Sequence, residues 1–104
     1  MNTKKLIQKT EQEIANEAQE TLDFNFRNEV EIHQESIGDY TYYVVEFDGY
    51  SMAQFGTEEE AKHFVERVEW RVTKLFDGRF QPEYWNSQKG EWVDWGEAVP
   101  AKDL

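Results

Sequence analysis

Apolar and polar residues alternate along this chain with two different periods, and the changes of period divide it into elements. Ala61, Phe64, Val65, Val68, Val72, Leu75 and Phe76 recur at spacings of three and four, which predicts one long helix over residues 57–76 with a single buried face. Thr57-Glu58-Glu59-Glu60 has the form of a capping box at its start, three acids suit the positive end of the helix dipole, and Asp77-Gly78 supplies the stop. On this helix Trp70 falls about 180° from the centre of the apolar stripe, so it is expected to face solvent among His63, Glu66, Arg67 and Lys74.

Upstream the period drops to two. Residues 40–47 and 50–55 are rich in aromatic and β-branched side chains and are joined by Asp48-Gly49, a two-residue turn signal, so they predict a hairpin. Residues 29–37 alternate Val30 and Ile32 with Glu29, Glu31, His33 and Glu35, and Gly38-Asp39 turns that strand into the hairpin to give a three-stranded meander. Leu6, Ile7, Ile14, Ala18 and Leu22 lie within one helical arc and predict a first helix over 3–22. Residues 80–85 and 91–95 flank a polar loop, Asn86 to Gly90, and predict a second hairpin, with Pro82 placing the first of its strands at a sheet edge. Residues 1–3 and 96–104 are expected to be loose.

The resulting order, α-β-β-β-α-β-β, implies a single α+β domain over residues 1–104, with an antiparallel sheet carrying helices on one face. Its core depends on bulky side chains, because hydrophobic residues make up only 38% of the chain while aromatic ones make up 15%.

Charge changes the picture most. Residues 10–60 hold fourteen of the 22 acids and a single base, Arg27, a balance of −13 within a total of −11. So negative a chain repels nucleic-acid phosphates and anionic lipid alike, and points to a basic protein as partner rather than to direct nucleic-acid or membrane binding. The apolar run Leu6-Ile7 is too short for a signal-peptide core and there are no cysteines, both in keeping with a cytoplasmic location.

Candidate chemistry is mostly removed by what the chain lacks. Two histidines, His33 and His63, fall on different predicted elements, so neither a metal site nor a cofactor is expected. No serine sits in a nucleophile-elbow context and no glycine pattern cradles a phosphate. Catalysis is therefore not expected. Acids are too numerous for any pair to be singled out as catalytic, but they have an order of their own. Glu13, Glu17 and Glu20 project from one side of the first helix at axial steps of about 4.5 to 6 Å, and Glu29, Glu31 and Glu35 share one face of the first strand at steps of about 7 Å. Both rows approximate the spacing of phosphates along a nucleic-acid strand.

The order α-β-β-β-α over residues 3–76 looks like that of double-stranded-RNA-binding domains, down to Gly56-Thr57-Glu58-Glu59-Glu60-Ala61-Lys62 at the start of the second helix. That family grips phosphates with lysines at this helix start; here Glu58, Glu59 and Glu60 stand in their place, so RNA binding is not implied. In character the chain resembles instead the acidic DNA-mimicking anti-restriction and anti-CRISPR proteins of phages and mobile elements. That resemblance implies a non-catalytic inhibitor whose six glutamates occlude the basic nucleic-acid-binding surface of a partner. The alternative expectation is a self-associating accessory subunit, a homodimer, whose interface is Trp70 with Arg67 and Lys74 beside it and the aromatic hairpin bearing Trp85 and Trp92.

Overall fold

The structure, a computed structural model, describes residues 9–104. Its elements follow in the order α1 (Glu11–Glu29), β1 (Glu31–Ile37), β2 (Tyr40–Phe47), β3 (Tyr50–Phe55), α2 (Glu58–Arg67), β4 (Trp70–Lys74), β5 (Phe80–Asn86) and β6 (Glu91–Asp94), with a 3-10 turn at Ala101–Asp103. The strands form two antiparallel three-stranded sheets, β1-β2-β3 and β4-β5-β6. The class is the α+β one that the periodicity predicts, with one further strand and the sheet divided in two.

The first meander follows its sequence closely. Asp48 and Gly49 adopt φ of 53° and 81°, the paired left-handed geometry whose twist matches that of the strands it joins. Ile32, Tyr43, Val45, Ala53 and Phe55 face the core, and α2 lies across all three strands on that side. A register shift between Val45 and Glu46 leaves Met52 as an extra, buried residue of β3.

The long helix predicted over 57–76 is not formed. α2 ends at Arg67 and the chain turns into β4 at Trp70. Val68 and Val72 fit a helical stripe, but together with Trp70 they also alternate with Glu69, Arg71 and Thr73 at period two, and the β-branched Val72 and Thr73 favour the strand. Tertiary packing decides between them. As a strand residue Trp70 is 5% exposed, and its ring meets Phe26, Phe47, Tyr84 and Trp95 at centroid distances of 5.4 to 5.8 Å. The expectation of a solvent-facing Trp70 is thereby overturned. Asp77-Gly78, read as a helix stop, instead lies in the β4–β5 turn, and Phe76 is fully exposed there.

Pro82 does not mark an edge, because β5 is the central strand of its sheet. Both main-chain polar positions of Pro82 point toward β6, which ends at Asp94, so the missing N–H falls where pairing has stopped and the carbonyl accepts from Trp95 N–H at 2.8 Å. The tail expected to be loose is tied down: Val99 exchanges two main-chain hydrogen bonds with Phe80, at 2.7 and 2.9 Å.

α1 starts and ends later than the predicted 3–22, whose first six positions lie outside the described residues. Thr10 and Glu13 form a reciprocal capping box, with Glu13 N–H donating to Thr10 Oγ1 at 3.1 Å and Thr10 N–H to Glu13 Oε1 at 3.0 Å. That Thr10 N–H holds the Glu13 carboxyl below its ordinary range. At the other end Phe26, one turn beyond Leu22, continues the buried stripe and carries the helix to Glu29. α1 runs along β4, with Phe26 against Trp70 at one end and Glu11 Oε1 3.3 Å from Lys74 Nζ at the other. The first helix therefore packs along the second sheet, while Phe26 also meets Phe47 of β2 at 5.3 Å, so the two sheets share one core.

Candidate protein-binding face

The acidic segment is built on two separate supports. On α1 the buried side is made by Ile14, Ala15, Ala18, Leu22 and Phe26, and Glu13, Glu17 and Glu20 project from the opposite side, all three exposed. Phe24, one turn beyond Glu20 on that same side, is 67% exposed. The second predicted row is broken. Glu29 ends α1, while Glu31 and Glu35 point from the outer face of β1, so the three do not share a strand face.

Internal partners account for part of this charge. Glu17 pairs with Lys9 at 2.7 Å, Glu35 accepts from the Tyr42 hydroxyl at 3.2 Å, and Glu31 lies 3.0 Å from His33. The Lys9–Glu17 pair is solvent-exposed and contributes little to stability, so a stronger cation can displace it. Arg27, the one base of residues 10–60, does not neutralise the ridge. Its guanidinium turns onto the end of α2, donating to the carbonyl of Val65 at 2.6 Å and to that of Val68, with Asp23 3.4 Å away. These two carbonyls lie at the negative end of α2, where a cation is stabilising.

Beside the ridge, α1 and the start of β4 enclose a cleft of about 500 Å³ lined by Glu20, Asp23, Phe24, Arg27, Glu69 and Trp70, among others. Its walls carry three carboxylates, of which Asp23 already faces the Arg27 guanidinium, together with the exposed ring of Phe24. The indole N–H of Trp70 is buried and finds no acceptor. Phe24 was open to sequence reasoning, whereas the cleft depends on β4, which the periodicity reads as helix. Phe24 sits four residues after Glu20, on the polar side of the helix, but a helix ended at residue 22 hides it.

The residues predicted as aromatic interface anchors are dispersed. Trp70 is in the core, Arg67 is exposed at the end of α2, and Lys74 is engaged with Glu11. Trp85 and Trp92 stand directly opposite each other on β5 and β6, on the outer face of the second sheet, with ring centroids 5.7 Å apart. Arg71 from β4 covers the Trp92 ring at 4.0 Å and donates to Glu83 Oε1 at 2.6 Å. The cation and the second indole thus shield Trp92 from within the same chain. Partial burial raises the Glu83 carboxyl, but hydrogen bonds from Arg71 and from the Thr73 hydroxyl at 2.8 Å outweigh it and hold that group below its ordinary range.

His33, which the sequence places on a charged strand face, is flanked by two carboxylates: Nε2 lies 2.9 Å from Glu46 and 3.0 Å from Glu31. The hydrogen bond with Glu46 raises its proton affinity above that of a free imidazole.

Fold and face together define an acidic α+β protein with two small antiparallel sheets and a carboxylate-rich helical ridge. Compared with protein-family models, curated proteins and solved structures, the chain shows no match. No helix among the described residues is long and apolar enough to cross a membrane.

Proposed function

We propose that this chain is a non-catalytic binding protein that docks the outer face of α1 on a basic, nucleic-acid-binding surface of a partner protein and blocks that surface. The observation that carries the reading is the outer face of α1. Glu13, Glu17 and Glu20 rise in one ridge that ends in the exposed Phe24, while Arg27 is drawn inward onto α2 and the one described cation on the ridge is Lys9, in a solvent-exposed pair with Glu17. A row of acids steers a basic partner, which can displace the exposed Lys9, and an exposed aromatic at its end offers an apolar anchor. Phosphate mimicry narrows the same idea. It now rests on the α1 ridge and its cleft, rather than on two equivalent rows.

Self-association through Trp70 is not retained, since a side chain 5% exposed cannot anchor an interface without unfolding its surroundings. The test is capture from host lysate at low salt by wild type and by a Glu17→Lys/Glu20→Lys/Phe24→Ser variant. Support requires a basic nucleic-acid-binding protein that wild type captures, that duplex DNA competes away and that the variant fails to hold. Capture that withstands 1 M salt, or that the variant retains, refutes it, because surface charge pairs are screened within about 3 Å at that ionic strength.

A further inference from the structure

The outer face of the first sheet brings together a second constellation, unrelated to the α1 ridge. Glu31 on β1 stands directly opposite Glu46 on β2, and His33, two residues along β1, sits diagonally across from Glu46. Like charges directly opposed on neighbouring strands are destabilising, and among the described residues no Lys or Arg comes within ion-pair distance of either. The one group between them is the His33 imidazole.

That imidazole does not resolve the arrangement as a proton donor. Nε2 carries at most one hydrogen, yet carboxylate oxygens approach it at 2.9 and 3.0 Å, and only the Glu46 contact has hydrogen-bond geometry. One oxygen from each glutamate and the ring nitrogen all lie within 4.8 Å of one another. A cation bound at about 2.1 Å to nitrogen and oxygen ligands requires neighbouring ligand atoms about 3.0 Å apart in octahedral geometry and about 3.4 Å apart in tetrahedral geometry. The two nitrogen–oxygen separations already match the first value. The three side chains grow from two strands paired in unbroken register, which fix their bases better than loops do.

We propose that Glu31, His33 and Glu46 form a binding site for a divalent transition-metal ion of the zinc type. The ion replaces the proton on Nε2 and neutralises the opposed glutamates. One imidazole and two carboxylates select against magnesium and calcium, which prefer all-oxygen shells. All three side chains are partly exposed, so the remaining coordination positions open to solvent, where water or a donor from a bound partner completes the shell.

The chain contains its own control, because it has two histidines and only one is in this cluster. Zinc is titrated into the full-length protein while the ring resonances of His33 and His63 are followed by NMR. The expected result is saturation of the His33 shifts at zinc concentrations that leave His63 unmoved, with no response to magnesium at the same concentrations. Glu31→Gln/Glu46→Gln, checked for an unchanged circular dichroism spectrum, is expected to weaken the His33 response by about tenfold or more. Parallel movement of both histidines, or undiminished zinc binding by the double variant, overturns the proposal. Should the double variant fail to fold, Glu46→Gln alone takes its place, with the same outcomes.

Discussion

Replacing Trp70 with alanine separates the strand packing of this residue from the helical, solvent-facing placement that its sequence context suggests. A tryptophan buries up to about 250 Å². With 5% of Trp70 exposed, nearly all of that is withdrawn from water, and alanine retains only the part contributed by its β-carbon. A net loss of about 150 to 200 Å² at about 25 cal/mol per Å² gives about 4 to 5 kcal/mol, within the 3 to 5 kcal/mol typical of large-to-alanine changes at buried aromatics. The four ring contacts to Phe26, Phe47, Tyr84 and Trp95 are part of that figure and are not added to it. A domain of this size is stable by about 5 to 15 kcal/mol, so the variant should lose about a quarter of its stability or more. Urea unfolding followed by far-ultraviolet circular dichroism measures this without relying on the fluorophore removed. Trp70→Phe is the companion. It keeps much of the ring packing and deletes the indole N–H that lacks an acceptor, so its loss should stay below about 1.5 kcal/mol. A Trp70→Ala variant whose midpoint matches wild type to within about 0.5 kcal/mol would behave as a surface substitution and refute the packing argument.

Three further outcomes are expected. Arg27→Met should destabilise by about 1.5 to 3 kcal/mol, the value of charge-assisted hydrogen bonds, and hydrogen exchange should quicken at the end of α2 where Val65 and Val68 lose their donor. Thr10→Ala removes one half of the α1 capping box and should lower the urea midpoint by an amount equal to about 1 kcal/mol, with fraying confined to the first turn in amide exchange. Glu83 should give stability an acid limb: its carboxyl is depressed on folding from the ordinary 4.5, so its contribution is present above that pH and lost as pH falls through the lower folded value. Glu83→Gln should flatten the wild-type decline between about pH 5 and pH 3, and an unchanged slope would remove Glu83 as its source.

Legibility in the sequence depended on whether a local signal had a local cause. Asp48-Gly49 required two left-handed residues, a demand that few other pairs meet, and the hairpin formed where that pair said it would. Thr57 capped α2 for the same kind of reason, its hydroxyl accepting Glu60 N–H at 3.1 Å. The stretch from Val68 to Lys74 had no such marker. It satisfies the helical and the strand period together, and the choice was made by distant residues, Phe26, Phe47 and Tyr84, that offer Trp70 an aromatic enclosure only when it lies on a strand. The acidic surface shows the same division. The α1 ridge was readable because Glu13, Glu17 and Glu20 repeat within one helix. The grouping of Glu31 and His33 with Glu46 depends on strand register, which a list of histidines does not contain.

The inward turn of Arg27 also leaves the stretch between Lys9 and Lys62 unusually quiet to trypsin. Between Lys9 and Lys62 it is the single residue after which that protease cuts, and it lies in a helix with its guanidinium held by the carbonyls of α2. Scission there needs α1 to release its grip on α2 and unwind locally, so the appearance of that one cleavage product times the undocking of α1. A ligand that settles on the outer face of the helix would slow this clock without touching Arg27, giving a label-free readout of occupancy.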